Sequence, residues 1–364
     1  MKITHSYFID DLRTIQESKD RPELMNDMVI MLSHDIGMEF GVKKCAELKF
    51  ERGKMVKSDG LQMFEERIKT LNPEEGEFYT FLGVPEGQGQ LGQIAKKKAL
   101  NEVEKRVEEL CNLELYERNL IKSINGRALS VLAYGMNVLD YSESELNEVD
   151  KRIRKILKEK GIMWNQSSKE RLYLPTKEGG RGLKSAREMY YQTKGRVACY
   201  LCYSGDEKIR QVFQIELQKE GRSTLKDVEN EFKQLGMNIT FKREGSCVID
   251  GRDITQYKEA RKELKKKLKN ATMNRRKYEY QQKKLQPIVW NLQEKKSHDW
   301  IRRNIHPKLV GLIIALQEQI VPTKWYRKVQ GFGDSDKCCI CSEQNKTVDH
   351  ILSGCKVLSA NEYT

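Results

Sequence analysis

Three apolar stripes at helical spacing between Val103 and Leu157 limit the possible folds of this chain more sharply than any other feature. Val103, Val107, Leu110 and Leu113 form the first stripe, and Leu120, Ile121, Ile124, Ala128 and Leu132 the second. Leu146, Val149, Ile153, Ile156 and Leu157 form the third, before Gly161. Residues three and four apart share one face of an α-helix, so each stripe predicts a helix that must bury that face against a neighbour. A helical bundle follows from them.

Upstream the period changes. Ala46, Leu48 and Phe50 alternate with Glu47, Lys49 and Glu51, which predicts a half-buried strand turning at Arg52-Gly53-Lys54 toward Met55-Val56. Asp20, Pro22 and Glu23 suit a helix start: a cap, a preset φ and the acidic residue of a capping box. Leu24, Met28, Met31 and Leu32 continue that helix and Gly37 stops it. Gly83 to Gly92, with Pro85, Gly87 and Gly89, is a breaker-rich joint between the two regimes.

The 364 residues suit two or three domains, and 66 basic against 53 acidic side chains leave a net charge of +13. That excess points to a polyanionic partner rather than an acidic small molecule. It is concentrated between Lys258 and Lys284, where twelve Lys or Arg meet three Glu and no Gly or Pro intervenes. A long basic helix is expected there, with Tyr278 and Tyr280 interleaved. Its candidate phosphate contacts are Lys262, Lys265, Lys266, Lys267, Lys269, Arg275, Arg276 and Lys277. Patterning is weak from about Gly205 to Asp253, and an extension of poorly defined fold is expected. No apolar run approaches a membrane span and the N-terminus has no signal-peptide pattern, so no membrane partner is expected. The odd number of scattered cysteines reads as reduced thiols plus a metal site in an intracellular protein.

Nine cysteines are scattered except near the C-terminus. There Cys338, Cys341, His350 and Cys355 have the spacing to close tetrahedrally on Zn²⁺, with Cys338 and Cys339 both able to supply the first ligand. A tail this short builds little core, so metal binding would supply most of its folding energy. Cys199 and Cys202 lie in an apolar helical stretch with no second pair nearby and read as core.

Phe8-Ile9-Asp10-Asp11 reads as a hairpin with two carboxylates at its tip. Adjacent carboxylates in a confined site repel unless a cation lies between them, and Mg²⁺ is the natural one. This stretch resembles the catalytic-aspartate motif of reverse transcriptases of non-LTR (LINE-type) retrotransposons. Asp35-Ile36-Gly37-Met38-Glu39-Phe40-Gly41 leading to Lys44-Cys45 resembles the same family's glycine-to-lysine motif. Phe78-Tyr79-Thr80-Phe81-Leu82-Gly83 resembles its primer-grip hairpin. Arg171 to Pro175 and Gly179 to Leu183 resemble a stretch of its thumb region and otherwise read as a tight loop between helices. The C-terminal knuckle resembles that of elements carrying a restriction-like endonuclease.

The resemblance implies an α+β, mostly α chain. Residues 1–90 would be the C-terminal part of a palm, a truncated antiparallel sheet with a helix. Residues 91–204 would be a helical thumb, 205–330 a helical extension with the basic helix, and 331–364 a CCHC zinc knuckle. Asp10 and Asp11 would hold catalytic Mg²⁺, and Lys44 would assist as an acid near the pyrophosphate leaving group, with a deoxynucleotide as substrate. RNA template, target DNA or both would be the partners, and the nucleus the place of work. The aspartate pair stands almost at the first residue, with no fingers and no earlier catalytic aspartate ahead of it. The expectation is therefore a fragment that binds nucleic acid without polymerising alone. The alternative is a domesticated or relic RNA- or DNA-binding module.

Overall fold

Short hairpins supply most of the described strands of the N-terminal part of the chain. The structure, a computed structural model, describes residues 5–8, 11–15, 22–38, 41–58, 60–63, 66–282 and 299–362. It divides into two units, Met1–Ala99 and Leu100–Thr364. It is α+β and mostly helical, with small sheets.

In the first unit β1 (His5–Phe8) pairs antiparallel with β2 (Asp11–Thr14), with Phe8 opposite Asp11. Asp10 and the helix-capping Asp20 lie outside the described residues. Helix α1 spans Pro22–Asp35. It closes as expected at Gly37: the Gly37 and Met38 N–H groups donate to His34 and Ser33 carbonyls at 3.0 and 2.8 Å. Strand β3 (Ala46–Glu47) pairs in parallel with β8 (Lys69–Thr70). Three further antiparallel pairs are β4 (Lys49–Glu51) with β5 (Lys54–Val56), β6 (Gln62–Met63) with β7 (Glu66–Arg67), and β9 (Tyr79–Phe81) with β10 (Val84–Glu86). Leu82 at φ 49° and Gly83 at φ 77° form the β9–β10 turn. Left-handed conformations at both central positions give the turn whose twist matches its strands.

Two apolar patterns of this unit do not end in burial. Phe50 is 53% exposed, and Met28, Met31 and Leu32 on α1 are exposed as well. An alternating strand buries one face only where a second layer covers it, and β4–β5 is a two-stranded ribbon. Among the described residues the buried apolar ones here are Met55, Ile68, Leu71 and Leu91.

The bundle follows the stripes closely. Its helices are α2 (Leu91–Cys111), α3 (Glu117–Ser123), α4 (Ser130–Val138), α5 (Glu143–Glu159), α6 (Lys169–Tyr173) and α7 (Ala186–Tyr203). Every apolar residue of the three stripes is buried except Leu113, which falls beyond the end of α2 and is exposed. Ser142 and Glu145 cap α5 reciprocally, the Ser142 N–H donating to the Glu145 carboxylate at 2.6 Å. Between α3 and α4 the backbone widens into one π turn, Ile124–Ala128. From it Asn125 donates to the Gly182 carbonyl at 3.0 Å and accepts from the Lys184 N–H at 2.8 Å.

That clamp holds a tightly packed loop. Buried Arg181 grips Glu117 through two bonds of 2.6 and 2.7 Å and donates a third to the Ile162 carbonyl. Buried Arg171 donates to the Gly179 carbonyl at 3.0 Å and to the Tyr280 hydroxyl at 3.3 Å.

The expectation of weak order from Gly205 to Asp253 is corrected. Helices α8 (Glu207–Gln218) and α9 (Thr224–Gln234) are capped by Asp206 and Ser223. A meander of β11 (Ile239–Lys242), β12 (Ser246–Ile249) and β13 (Arg252–Ile254) follows. Phe213, Val228, Phe232, Phe241 and Ile249 share one core with Cys199, Cys202 and Leu264. As expected, Cys199 and Cys202 are core residues, and burial pushes both thiols up to about 12.

Helix α10 (Tyr257–Gln282) coincides with the basic run as far as it is described; Lys283 and Lys284 lie outside the described residues. Helices Pro307–Gln317 and Lys324–Val329 lead to the cysteine-rich tail. Among the described residues no helix is long and apolar enough to cross a membrane.

Candidate metal centre and nucleic-acid interface

The tail folds so that four of its side chains converge. One ligand atom from each of Cys338, Cys341, His350 and Cys355 lies within 4.8 Å of every other. Ser342, at φ 61°, turns the chain after Cys341, and the Cys338 N–H donates to the Gln344 carbonyl at 2.8 Å. The Ile340 N–H points at the Cys338 sulfur from 3.4 Å. His350 enters on a π turn, His350–Gly354, with Nε2 at 3.3 Å from the Cys341 sulfur. Its Nδ1 faces Oε1 of Gln344 at 3.0 Å. A proton on Nδ1 satisfies that contact and leaves Nε2 free as a ligand. Backbone N–H groups of Gln344 and Glu343 pull the Cys341 thiol down to about 6, toward the thiolate a metal requires. Three sulfurs and one nitrogen at this separation suit a tetrahedral ion, and the cluster could hold a metal such as zinc.

The choice between Cys338 and Cys339 is settled by position. Cys338 is buried inside the cluster, whereas Cys339 is exposed and accepts a 3.1 Å contact from the Lys346 ammonium. The tail is fastened to the helices before it through buried Gln319. The Gln319 amide donates to Asp349 at 2.7 Å, and its carbonyl accepts the Val348 N–H at 3.1 Å.

Helix α10 divides its cations between two jobs. Ala260, Leu264, Leu268, Thr272, Arg276 and Tyr280 recur every four residues and form its buried row. Arg276, expected on the phosphate face, is instead 8% exposed, bonded to Glu170, Glu188 and Ser185 at 3.1, 2.9 and 2.9 Å. Lys267 pairs with Asp250, Lys277 with Glu178, and Arg275 with Glu279 at 3.8 Å. These four cations are already neutralised by the protein's own carboxylates. Lys262, Lys265, Lys266 and Lys269 are exposed, and none forms an ion pair among the described residues. Their spacing places them along one side of the helix.

In the first unit Asp11 opens β2, and Lys44 ends a single 3₁₀ turn with its side chain exposed. The Tyr79 hydroxyl donates to the Lys44 carbonyl at 3.2 Å. Burial raises the Tyr79 phenol, and the nearby charges of Cys45, Asp11 and Glu86 add to that effect. Arg13 bonds Glu86 at 2.7 Å with its guanidinium 5.9 Å from the Phe81 ring centre, so the two hairpins are tied together. Asp11, Lys44 and Tyr79 thus share one neighbourhood.

No protein-family model matches this chain, and no curated protein matches it.

Proposed function

We propose that this chain binds RNA or DNA through the free face of α10 and a zinc-clasped tail, as part of a retrotransposon-type RNA-directed DNA polymerase. The observation that carries the reading is the one-signed excess left on α10: Lys262, Lys265, Lys266 and Lys269 stay exposed while Lys267, Arg275, Arg276 and Lys277 are paired. Such a row attracts phosphates without reading sequence, and releases counterions when it binds. Zinc at Cys338, Cys341, His350 and Cys355 supplies folding energy to the tail, on the order of 10 kcal/mol at neutral pH. RNA template or target DNA is the partner, and the nucleus the setting.

Asp10 and Asp11 are the residues that would hold Mg²⁺, whose chemistry is to polarise the oxygens of phosphoryl transfer. The link between Tyr79 and Lys44 beside Asp11 favours keeping this second activity in view. The isolated chain is expected to bind without extending a primer. A domesticated binding module shares the first property and lacks the second.

The test is binding of labelled RNA and DNA by the full chain and by a Lys262→Gln, Lys266→Gln, Lys269→Gln variant. A loss of at least about tenfold is expected at physiological salt. Equal affinity in the two proteins contradicts the assignment. Primer extension that disappears with Asp10→Ala would replace the binding role with an enzymatic one.

A further inference from the structure

A cleft of about 220 Å³ runs between α7 and α10, and its charge is entirely of one sign. Lys184 and Arg196 line it from the α7 side, Arg261 and Lys265 from α10, and none of its lining residues is an aspartate or glutamate. At its floor the two helices approach closely, with Gly195 and Leu264 both lining the cleft and a Cβ on Gly195 coming within 2.5 Å of a Leu264 methyl. No bulkier residue at that position leaves the same spacing without moving Leu264.

A larger cleft of about 930 Å³ along α5 makes the contrast. It holds five cations, but Glu104, Glu148 and Glu159 line it too. Arg152 bonds Glu148 and Glu104 at 2.8 and 3.1 Å, and Lys155 meets Glu159 at 3.7 Å. Three of that cleft's five cations thus face a carboxylate of its own lining. In the α7–α10 cleft Arg196 donates one bond to Asn137, at 2.8 Å, while Lys184, Arg261 and Lys265 meet no carboxylate among the described residues. No aromatic side chain lines it, so it offers no stacking surface for a base. What it offers is several N–H donors around a narrow notch, the requirement of a phosphate. Arg261 and Lys265 also border the free face of α10, so the notch continues that row onto the bundle.

We propose that the α7–α10 cleft seats phosphates of one nucleic-acid strand, with Lys184 and Arg196 as contacts on the bundle side. The proposal rests on the nucleic-acid reading above and adds to it two residues outside the basic run.

Fluorescence anisotropy with a labelled mixed-sequence oligonucleotide, RNA and DNA in separate arms, tests it on the full chain across a salt series. Lys184→Gln with Arg196→Gln should weaken binding about tenfold and flatten the logarithmic salt slope by about 1.5. Gln192→Lys, which adds a cation to the same cleft, should tighten binding and steepen the slope by about 0.8. Lys151→Gln with Lys155→Gln on α5 should leave affinity within about twofold. If the wild-type chain binds with salt dependence and both cleft variants match it, the notch is wrong and the α10 reading stands. If the wild type binds no oligonucleotide, or binds anionic lipid vesicles instead, both are overturned.

Discussion

Arg276 and Glu170 form a 3.1 Å ion pair that joins the basic helix to the bundle, with the guanidinium 4.5 Å from the ring centre of Tyr173. Removing one partner of a buried pair strands the other charge, at a cost of about 3–5 kcal/mol. Arg276→Ala should therefore lower stability in urea unfolding by that amount, and the double variant with Glu170→Gln should recover part of it. Affinity for nucleic acid, per folded molecule, should stay within about twofold. A phosphate-contacting Arg276 would give the opposite pattern, with stability kept and binding lost.

His350 is aimed by Gln344, so the zinc affinity of the tail should depend on a side chain that is not itself a ligand. Gln344→Ala is expected to weaken zinc about 10–100-fold in competition with a chromogenic chelator. Stripping the metal should also speed hydrogen exchange at the Val348 amide, which Gln319 holds at 3.1 Å. Unchanged exchange after chelation would show that Gln319 fastens the tail without help from the metal.

Much of this was legible in the residues, and the misses have physical causes. Helical periodicity identified the bundle because its faces are buried all along, as at Ile153 and Leu157. The same pattern located α1 correctly but there does not end in burial, since Met31 and Leu32 are exposed. The core built by α8, α9 and the meander escaped notice because its strands are three or four residues long. Alternation at Ile239 and Phe241 spans too few residues to stand out. Arg276 carried a usable signal: it lies every fourth residue from Leu264, Leu268 and Thr272, on the row that packs inward. Reading charge without period placed it on the wrong face. Conversely, Lys184 and Arg196 lie far from α10 in sequence, so only the packing at Gly195 reveals them.

Buried Asp150 makes stability depend on pH in a direction opposite to that of most carboxylates. Burial raises its carboxyl from 3.8 to about 6, although the Ala186 N–H donates to it at 2.8 Å. The folded state thus holds the proton more tightly than the unfolded chain does. The stability contributed is fully present below about pH 4 and is lost as pH rises to about 6, a change on the order of 3 kcal/mol. Asp150→Asn should remove that dependence in urea titrations and be the more stable protein near pH 7. A wild-type curve that rises through this window, unchanged by the substitution, contradicts the assignment.

The most direct measurement of the central claim is the salt dependence of RNA binding by the intact, zinc-loaded chain. Each neutralised phosphate contributes about 0.7 to a single-strand slope, so Lys262, Lys265, Lys266 and Lys269 predict a logarithmic slope of about −3 or steeper. The Lys262→Gln, Lys266→Gln, Lys269→Gln variant should flatten it by about 2. A wild-type slope near zero, or one that the variant leaves unchanged, contradicts the account.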